Sequence, residues 1–219
     1  MSRGVKVKSG MAVPTRRYTP RLPRSERREQ ILDATLHLIA ENGFGGVSME
    51  AVAREVGVAK TVVYDAFANK EKLLNALFAR EQQRTLAEIA AVIPTPPLEG
   101  EPAEILATSV ERLLKAVAEH PDAWRLILMP ADGMPSVVRD EVNRHREGLV
   151  DQIQPMIAWG MERLGIGSLD SELAAAGILG AAENAARLSL TDPKRFPPQR
   201  IAEFAADVVT TIRRAGPDD

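Results

Sequence analysis

Apolar residues fall into a helical rhythm from about Ser25 onward. Ile31, Ala34, Thr35 and Leu38 recur on one face, and Leu32, Leu36 and Ile39 widen it. That three-to-four spacing predicts an amphipathic helix. Asn42-Gly43 ends it, because both residues tolerate a left-handed backbone. Phe44-Gly45-Gly46 forms a short link to Ser48, a good N-cap for a second helix over about 48–55 that turns Met49, Val52, Ala53 and Val56 inward. Gly57 breaks that helix, a third runs from about Ala59 to Phe67, and Asn69 caps a fourth from Lys70 to about Ala91. Pro94, Pro96 and Pro97 close the fourth. Five further helical segments are predicted at about 102–119, 121–129, 135–164, 170–190 and 198–214. Pro102, Pro121, Pro135 and Pro198 stand at or near their starts, where a missing N–H costs little. Pro155 falls inside the 135–164 stretch and is expected to kink or split it. Neither strand-like alternation nor an internal repeat is visible.

Composition agrees with an all-α protein of about nine helices. Hydrophobic residues make up 45% of the 219, enough for a sizeable core, and aromatics only 4%, which disfavours strands. No apolar run approaches the roughly 18 residues that span a bilayer. The basic N-terminus lacks the apolar segment of a secretory signal, so the expected compartment is the cytoplasm. The absence of cysteine excludes disulfides, thiol redox sensing and Cys-ligated zinc.

The small net charge of −2 hides a polarity. Residues 1–84 hold fifteen basic and nine acidic groups, whereas residues 85–219 hold thirteen and twenty-one. A basic end on an acidic body concentrates positive potential on one surface, as a polyanion-binding end would. The plain alternative is a solvated tail.

The informative stretch is Ser48 to Lys70, SMEAVAREVGVAKTVVYDAFANK. Two short helices about a glycine turn, behind a longer first helix, form the tri-helical arrangement of a helix-turn-helix. Gly57 supplies the positive φ of the turn, and Ala53 is small enough for close helix approach. Val52, Val56, Val58, Val63 and Phe67 are expected to share a core with Phe44, Ile31 and Leu38. Lys60, Thr61, Tyr64 and Val62 then remain on the outer face of the third helix, a set suited to a groove edge.

This spacing resembles the TetR family of bacterial repressors, over about residues 25–80. The matching residues are Ser48-Met49, Val52-Ala53, Gly57-Val58, Val63-Tyr64, Phe67, Lys70 and Leu73-Leu74, preceded by Ile31-Leu32-Asp33-Ala34 and Asn42-Gly43-Phe44. The resemblance implies that Lys60, Thr61 and Val62 face base edges, with lysine donating to guanine and valine packing on a thymine methyl. It implies that Tyr64 donates to a backbone phosphate, that Lys70 meets phosphate beside a helix N-terminus, and that Ser48 lies at the same surface. Ala66 departs from the His or Tyr common at that position. The acidic Asp65 would repel phosphate unless it accepts from a cytosine amine or faces away, so the base preference is not transferable.

Residues 1–23 read as a flexible basic arm, punctuated by Gly4, Gly10, Pro14, Pro20 and Pro23. Its Arg16, Arg17 and Arg21 could enter a minor groove, or add only nonspecific attraction. The expected organisation is this arm, a DNA-binding domain at 24–69, and a helical effector-binding and dimerisation domain at 70–219. For the last of these the resemblance implies a bundle whose final two helices pair with a second copy. Ala174, Ala175, Ala176, Gly177, Gly180, Ala181, Ala182, Ala185 and Ala186 permit close approach, beside an apolar stripe of Ile201, Phe204, Ala205, Val208, Val209 and Ile212. Candidate ligand-pocket residues are Trp124, Leu128, Met129, Met134, His145, Met156 and Trp159, since methionine adapts to irregular ligands and Trp or His adds a polar handle.

His37, His120 and His145 are too scattered to suggest a metal site, and no nucleophile elbow or phosphate loop calls for a catalytic role or a cofactor. The expected function is that of a homodimeric regulator of double-stranded DNA, a repressor released from a palindromic operator by a small-molecule effector. The alternatives are an effector-independent architectural DNA binder and a helical enzyme with an accessory helix-turn-helix.

Overall fold

The computed structural model describes residues 22–129 and 136–215. The expected arm residues Arg16, Arg17 and Arg21, and the pocket candidate Met134, lie outside the described residues. Nine α-helices and one 3-10 turn occur among those described, with no strand.

Helix α1 (Arg24–Asn42) buries Ile31, Leu32, Thr35 and Leu38, the face set by its apolar spacing. The Thr35 hydroxyl donates to the Ile31 carbonyl at 2.7 Å, which satisfies a polar group at zero exposure. Gly43, at φ +67°, ends the helix and leads into the 3-10 turn at Phe44–Gly46. Helix α2 (Met49–Val56) starts at Ser48, whose hydroxyl accepts from the Ala51 amide at 3.0 Å. Helix α3 (Lys60–Ala66) follows Gly57. Helix α4 (Lys70–Val92) starts at Asn69, whose side chain accepts from the Lys72 amide at 2.8 Å. Such caps satisfy otherwise orphaned donors and contribute about 1 kcal/mol each.

The remaining elements are α5 (Pro102–Glu119), α6 (Pro121–Leu128), α7 (Ser136–Arg163), α8 (Ser171–Thr191) and α9 (Pro198–Ala215). Proline opens three of these, as its spacing predicts. Pro155 does not split α7, which continues through it as a single helix. The ring removes the N–H that would have served the Asp151 carbonyl, but both residues lie on the exposed side, where water can replace that bond.

Two hydrophobic clusters organise the chain. The first joins Ile31, Phe44, Val52, Val63 and Phe67 to Leu73, Leu74, Leu77 and Phe78 of α4, and to Leu126 of α6. Phe44 stacks on Phe78 at 5.7 Å between ring centroids. The second gathers Leu114, Val117, Trp124, Ala186 and Leu190, with Ile89 of α4 against it. Helices α4 and α6 thus contribute to both clusters. The sequence division at residues 69 and 70 meets α4 at its first residue, but the helix's first half packs with the N-terminal core.

Candidate DNA-binding surface and ligand cavity

The α2–α3 corner follows from one backbone conformation. Gly57 sits at φ +73°, ψ +34°, the left-handed region that L side chains rarely adopt. Its N–H donates to the Arg54 carbonyl at 3.1 Å, and the Val58 N–H donates to that of Ala53 at 2.9 Å, closing the end of α2. Helix α3 leaves this turn with Val63 and Phe67 directed into the first core, at 0% and 3% exposure. Val56 and Val58 pack on the same core from its edge. Because one side of the short helix is committed inward, Lys60, Thr61, Tyr64 and Asp65 are exposed and Val62 is half-buried. The α1 residue Arg28 fixes the far end. Its guanidinium donates to the Ala66 carbonyl and lies 4.1 Å from the Phe67 ring centroid.

The outward groups are not isolated. The Lys60 ammonium pairs with the Glu50 carboxylate across the α2–α3 corner and lies 5.5 Å from the Tyr64 ring centroid. The hydrogen bond between them holds the Glu50 carboxyl below its ordinary pKa and raises that of Lys60. Ser48 is half-buried and engaged as the α2 cap. The Lys70 ammonium donates to the Phe44 carbonyl at 3.1 Å, so it ties α4 to the link after α1. That contact spans 26 residues and has no local sequence signal.

Sequence reasoning also missed an ionic junction between α4 and α1. Arg80 reaches Glu29 at 2.9 Å, Asp33 at 2.8 Å and Glu81 at 2.5 Å, while Arg84 meets Glu81 at 3.4 Å. Glu81 is fully buried and the Arg80 side chain is 13% exposed. In sequence, Arg80-Glu81-Gln82-Gln83-Arg84 looks like a solvated face.

A cavity of about 860 Å³ lies among α4, α5, α7, α8 and α9, with α6 at one end. Of the candidate pocket residues, Trp124, Leu128, His145 and Met156 line it. Two other candidates do not. Met129 is exposed just beyond α6, and Trp159 lies off the lining, its ring 4.9 Å from the Arg163 guanidinium. The Trp124 indole donates to Glu88 at 2.8 Å, and Glu88 also pairs with His120 at 2.8 Å. The Gln82 amide nitrogen sits 3.0 Å from His145 Nδ1. Arg146 and Arg187 both meet Glu183, at 2.8 and 3.5 Å, and Arg187 also donates to the Leu128 carbonyl at 3.1 Å. The signal for this polar group was the charge set within the small-residue run of α8, at Glu183 and Arg187.

An apolar, open face of α8 and α9 adjoins the cavity, whose lining includes Phe204, Val208 and Ala181. Phe204, Val208 and Ile212 follow one another at four-residue steps and are exposed, Phe204 by 68%. Leu173, Ala176, Gly177 and Ala181 are exposed on α8, whereas Ala175 and Ala186 are buried within the chain.

Residues 31–77, from mid-α1 into α4, match the family model described as bacterial regulatory proteins, tetR family. An HTH-type transcriptional regulator of Mycobacterium tuberculosis is 27% identical over 169 residues, covering 77% of this chain and 70% of that protein. A TetR-like transcriptional regulator from Rhodococcus sp. RHA1, solved by crystallography, superposes with a TM-score of 0.67 at 26% identity, over 89% of this chain and 97% of its own. The transcriptional regulator FadR of Bacillus subtilis, solved in complex with stearoyl-CoA, shares the fold at a TM-score of 0.61 and 20% identity, over 83% and 96% of the two chains. No helix among the described residues is long and apolar enough to cross a membrane. The glycine corner, the capped helices around it and these likenesses agree: residues 31–77 form a helix-turn-helix of the tetR type, and the chain shares the fold of a TetR-like transcriptional regulator.

Proposed function

We propose that this regulator is a cytoplasmic homodimeric repressor, released from a palindromic operator when a small molecule fills its cavity. The observation that carries the reading is the polar outer edge of α3, exposed over a buried Val63–Phe67 side, on a scaffold whose α4 also walls an 860 Å³ cavity. That volume lies within the range of small-molecule sites.

On DNA, Lys60 exchanges Glu50 for guanine acceptors, Thr61 and Val62 complete the base-edge contacts, and Tyr64 donates to phosphate. Lys70 and the capped start of α4 offer a charge and free amides to the next phosphate, with Ser48 presented beside them. Arg16, Arg17 and Arg21 add contacts from the arm, in the minor groove or to the backbone. The exposed α8–α9 face, led by Phe204, receives a second copy. The two α3 helices then meet half-sites about one helical turn, or a multiple, apart.

FadR of B. subtilis was solved with an acyl-CoA, which supports ligand occupancy in this fold. Release requires the effector to prefer the conformer whose half-site spacing does not fit. The test is footprinting of the purified protein on the DNA upstream of its own gene, with and without candidate effectors. A symmetric protected site lost on effector addition is expected. Sequence-indifferent binding would refute the operator reading, and protection indifferent to every effector would favour an architectural binder.

A further inference from the structure

The cavity is chemically uneven along its length, and its two ends can be oriented from contacts. At the α6 end, Gln82 of α4 meets His145 of α7, and Arg187 of α8 meets the Leu128 carbonyl. At the other end, a Cβ at Gly160 of α7 would fall 3.7 Å from Pro102, the first residue of α5. The α7 lining from Val142 to Ile157 spans roughly 22 Å at 1.5 Å per residue.

Among the described residues, charged and amide lining is gathered at the α6 end. Gln82, His145, Arg146, Glu183 and Arg187 lie there, and Arg200 enters from the start of α9, so among the described lining residues three guanidiniums oppose one carboxylate. The far end is walled by Val92, Ile93, Pro94, Leu106, Met156 and Ile157, and no described residue there offers a charge or an amide. A ligand that fills both ends must change character along its axis. Its tail gains from leaving water, and a buried charge at its head must find a partner of opposite sign. Unbalanced guanidinium charge selects an anion and repels a cation.

We propose that the cavity takes an elongated aliphatic ligand with an anionic head, the head at Arg146 and Arg187 and the tail toward Pro94 and Leu106. This rests on the reading of the cavity as the effector site, and it names the effector's chemical class.

The test is calorimetry on the full-length protein without DNA, using the saturated carboxylates from octanoate to stearate. Dodecanol, dodecylamine and dodecyl phosphate serve as head-group controls. Trp159→Phe leaves Trp124, in the cavity wall, as the sole indole reporter of occupancy. Affinity is expected to rise about four-fold per added methylene until the apolar end is full. Dodecanoate or dodecyl phosphate should bind at least about ten-fold tighter than the alcohol, and the tighter of the two identifies the head as carboxylate or phosphate. Arg146→Gln should reduce that preference while keeping the chain-length trend, and Leu106→Trp should move the plateau to a shorter chain.

Equal binding of alcohol, amine and carboxylate, or a flat chain-length series, would overturn the proposal, as would an unchanged head-group preference in Arg146→Gln. Failure of the release mechanism is separable. Carboxylates that bind without disturbing operator protection would refute release and leave this inference standing. An unrelated effector that releases DNA while no carboxylate binds would do the reverse.

Discussion

Replacing Arg80 by methionine should be the most damaging single change at the α1–α4 junction. The substitution keeps the aliphatic stem but removes the guanidinium that faces Glu29, Asp33 and Glu81. Glu29 and Asp33 are exposed, at 57% and 66%, and lose little because water replaces the arginine. Glu81 is fully buried and keeps only Arg84, at 3.4 Å. Stranding one member of a buried ion pair costs about 3–5 kcal/mol. The residual exposure of Arg80 and the nearby Arg84 place the loss at the lower end, about 3 kcal/mol. For a chain of this size that lowers Tm by about 6–12 °C.

The assay is thermal unfolding at fixed protomer concentration, because any self-association makes Tm concentration-dependent. Glu81→Met and the double replacement Arg80→Met/Glu81→Met complete the cycle. The double variant should recover most of the loss, since replacing a buried pair by apolar side chains is often neutral or stabilising. A loss below about 1 kcal/mol in Arg80→Met, or strictly additive single losses, would show that the junction contributes no more than surface ion pairs do.

Gly57→Ala should cost about 1–2 kcal/mol, read as a Tm decrease, from the positive φ alone, because nothing lies within 4 Å of the added Cβ. Lys60→Ala and Tyr64→Phe should change Tm little, since both side chains are outward and the Lys60–Glu50 pair is screened by water, yet weaken operator binding by about 1–3 kcal/mol for the base contact. Lowering the slope of log K against log salt by about one is the signature of a lost phosphate contact. Phe204→Asp should convert the proposed dimer to monomer in analytical ultracentrifugation, with an intact helical spectrum. The Glu50 carboxyl should titrate below the ordinary glutamate range by NMR and return toward it in Lys60→Ala. A depressed folded-state pKa gives stabilisation that is present above the unfolded value and lost as pH falls through the folded one. The corner pair should therefore open only in acid.

The DNA-binding corner was legible in the sequence because its determinants are local. Ser48, Gly57 and Asn69 each act within a few residues, and Val63 and Phe67 hold one side of α3 inward, which leaves Lys60 and Tyr64 outside. The cavity was less legible. Its wall comes from helices whose apolar residues extend beyond a single stripe, so periodicity does not tell which face meets the hollow. Trp124 and Trp159 are alike in sequence terms, yet the first is buried against Glu88 and the second pairs with Arg163 away from the lining. Pairs such as Lys70 with Phe44, or Gln82 with His145, span 26 and 63 residues and depend on assembly of the whole fold.

Helix α6 shows why the two clusters need not move independently. It has eight residues, about 12 Å of helix. Leu126 is buried in the first core, and Trp124, two positions earlier, belongs to the second and lines the cavity. Close packing leaves no slack between them, so a ligand that displaces Trp124 must carry Leu126 against α1 and α4. Moving an equilibrium from 1:99 to 99:1 takes about 5.5 kcal/mol of differential affinity, more than one such contact supplies. Under the proposed release mechanism, the change is therefore shared with the other links from the cavity wall, Gln82 to His145 and Arg187 to the Leu128 carbonyl. Loss of any one should reduce the coupling without abolishing it, whereas loss of the Arg80 junction should loosen α1 from α4 whether or not a ligand is bound.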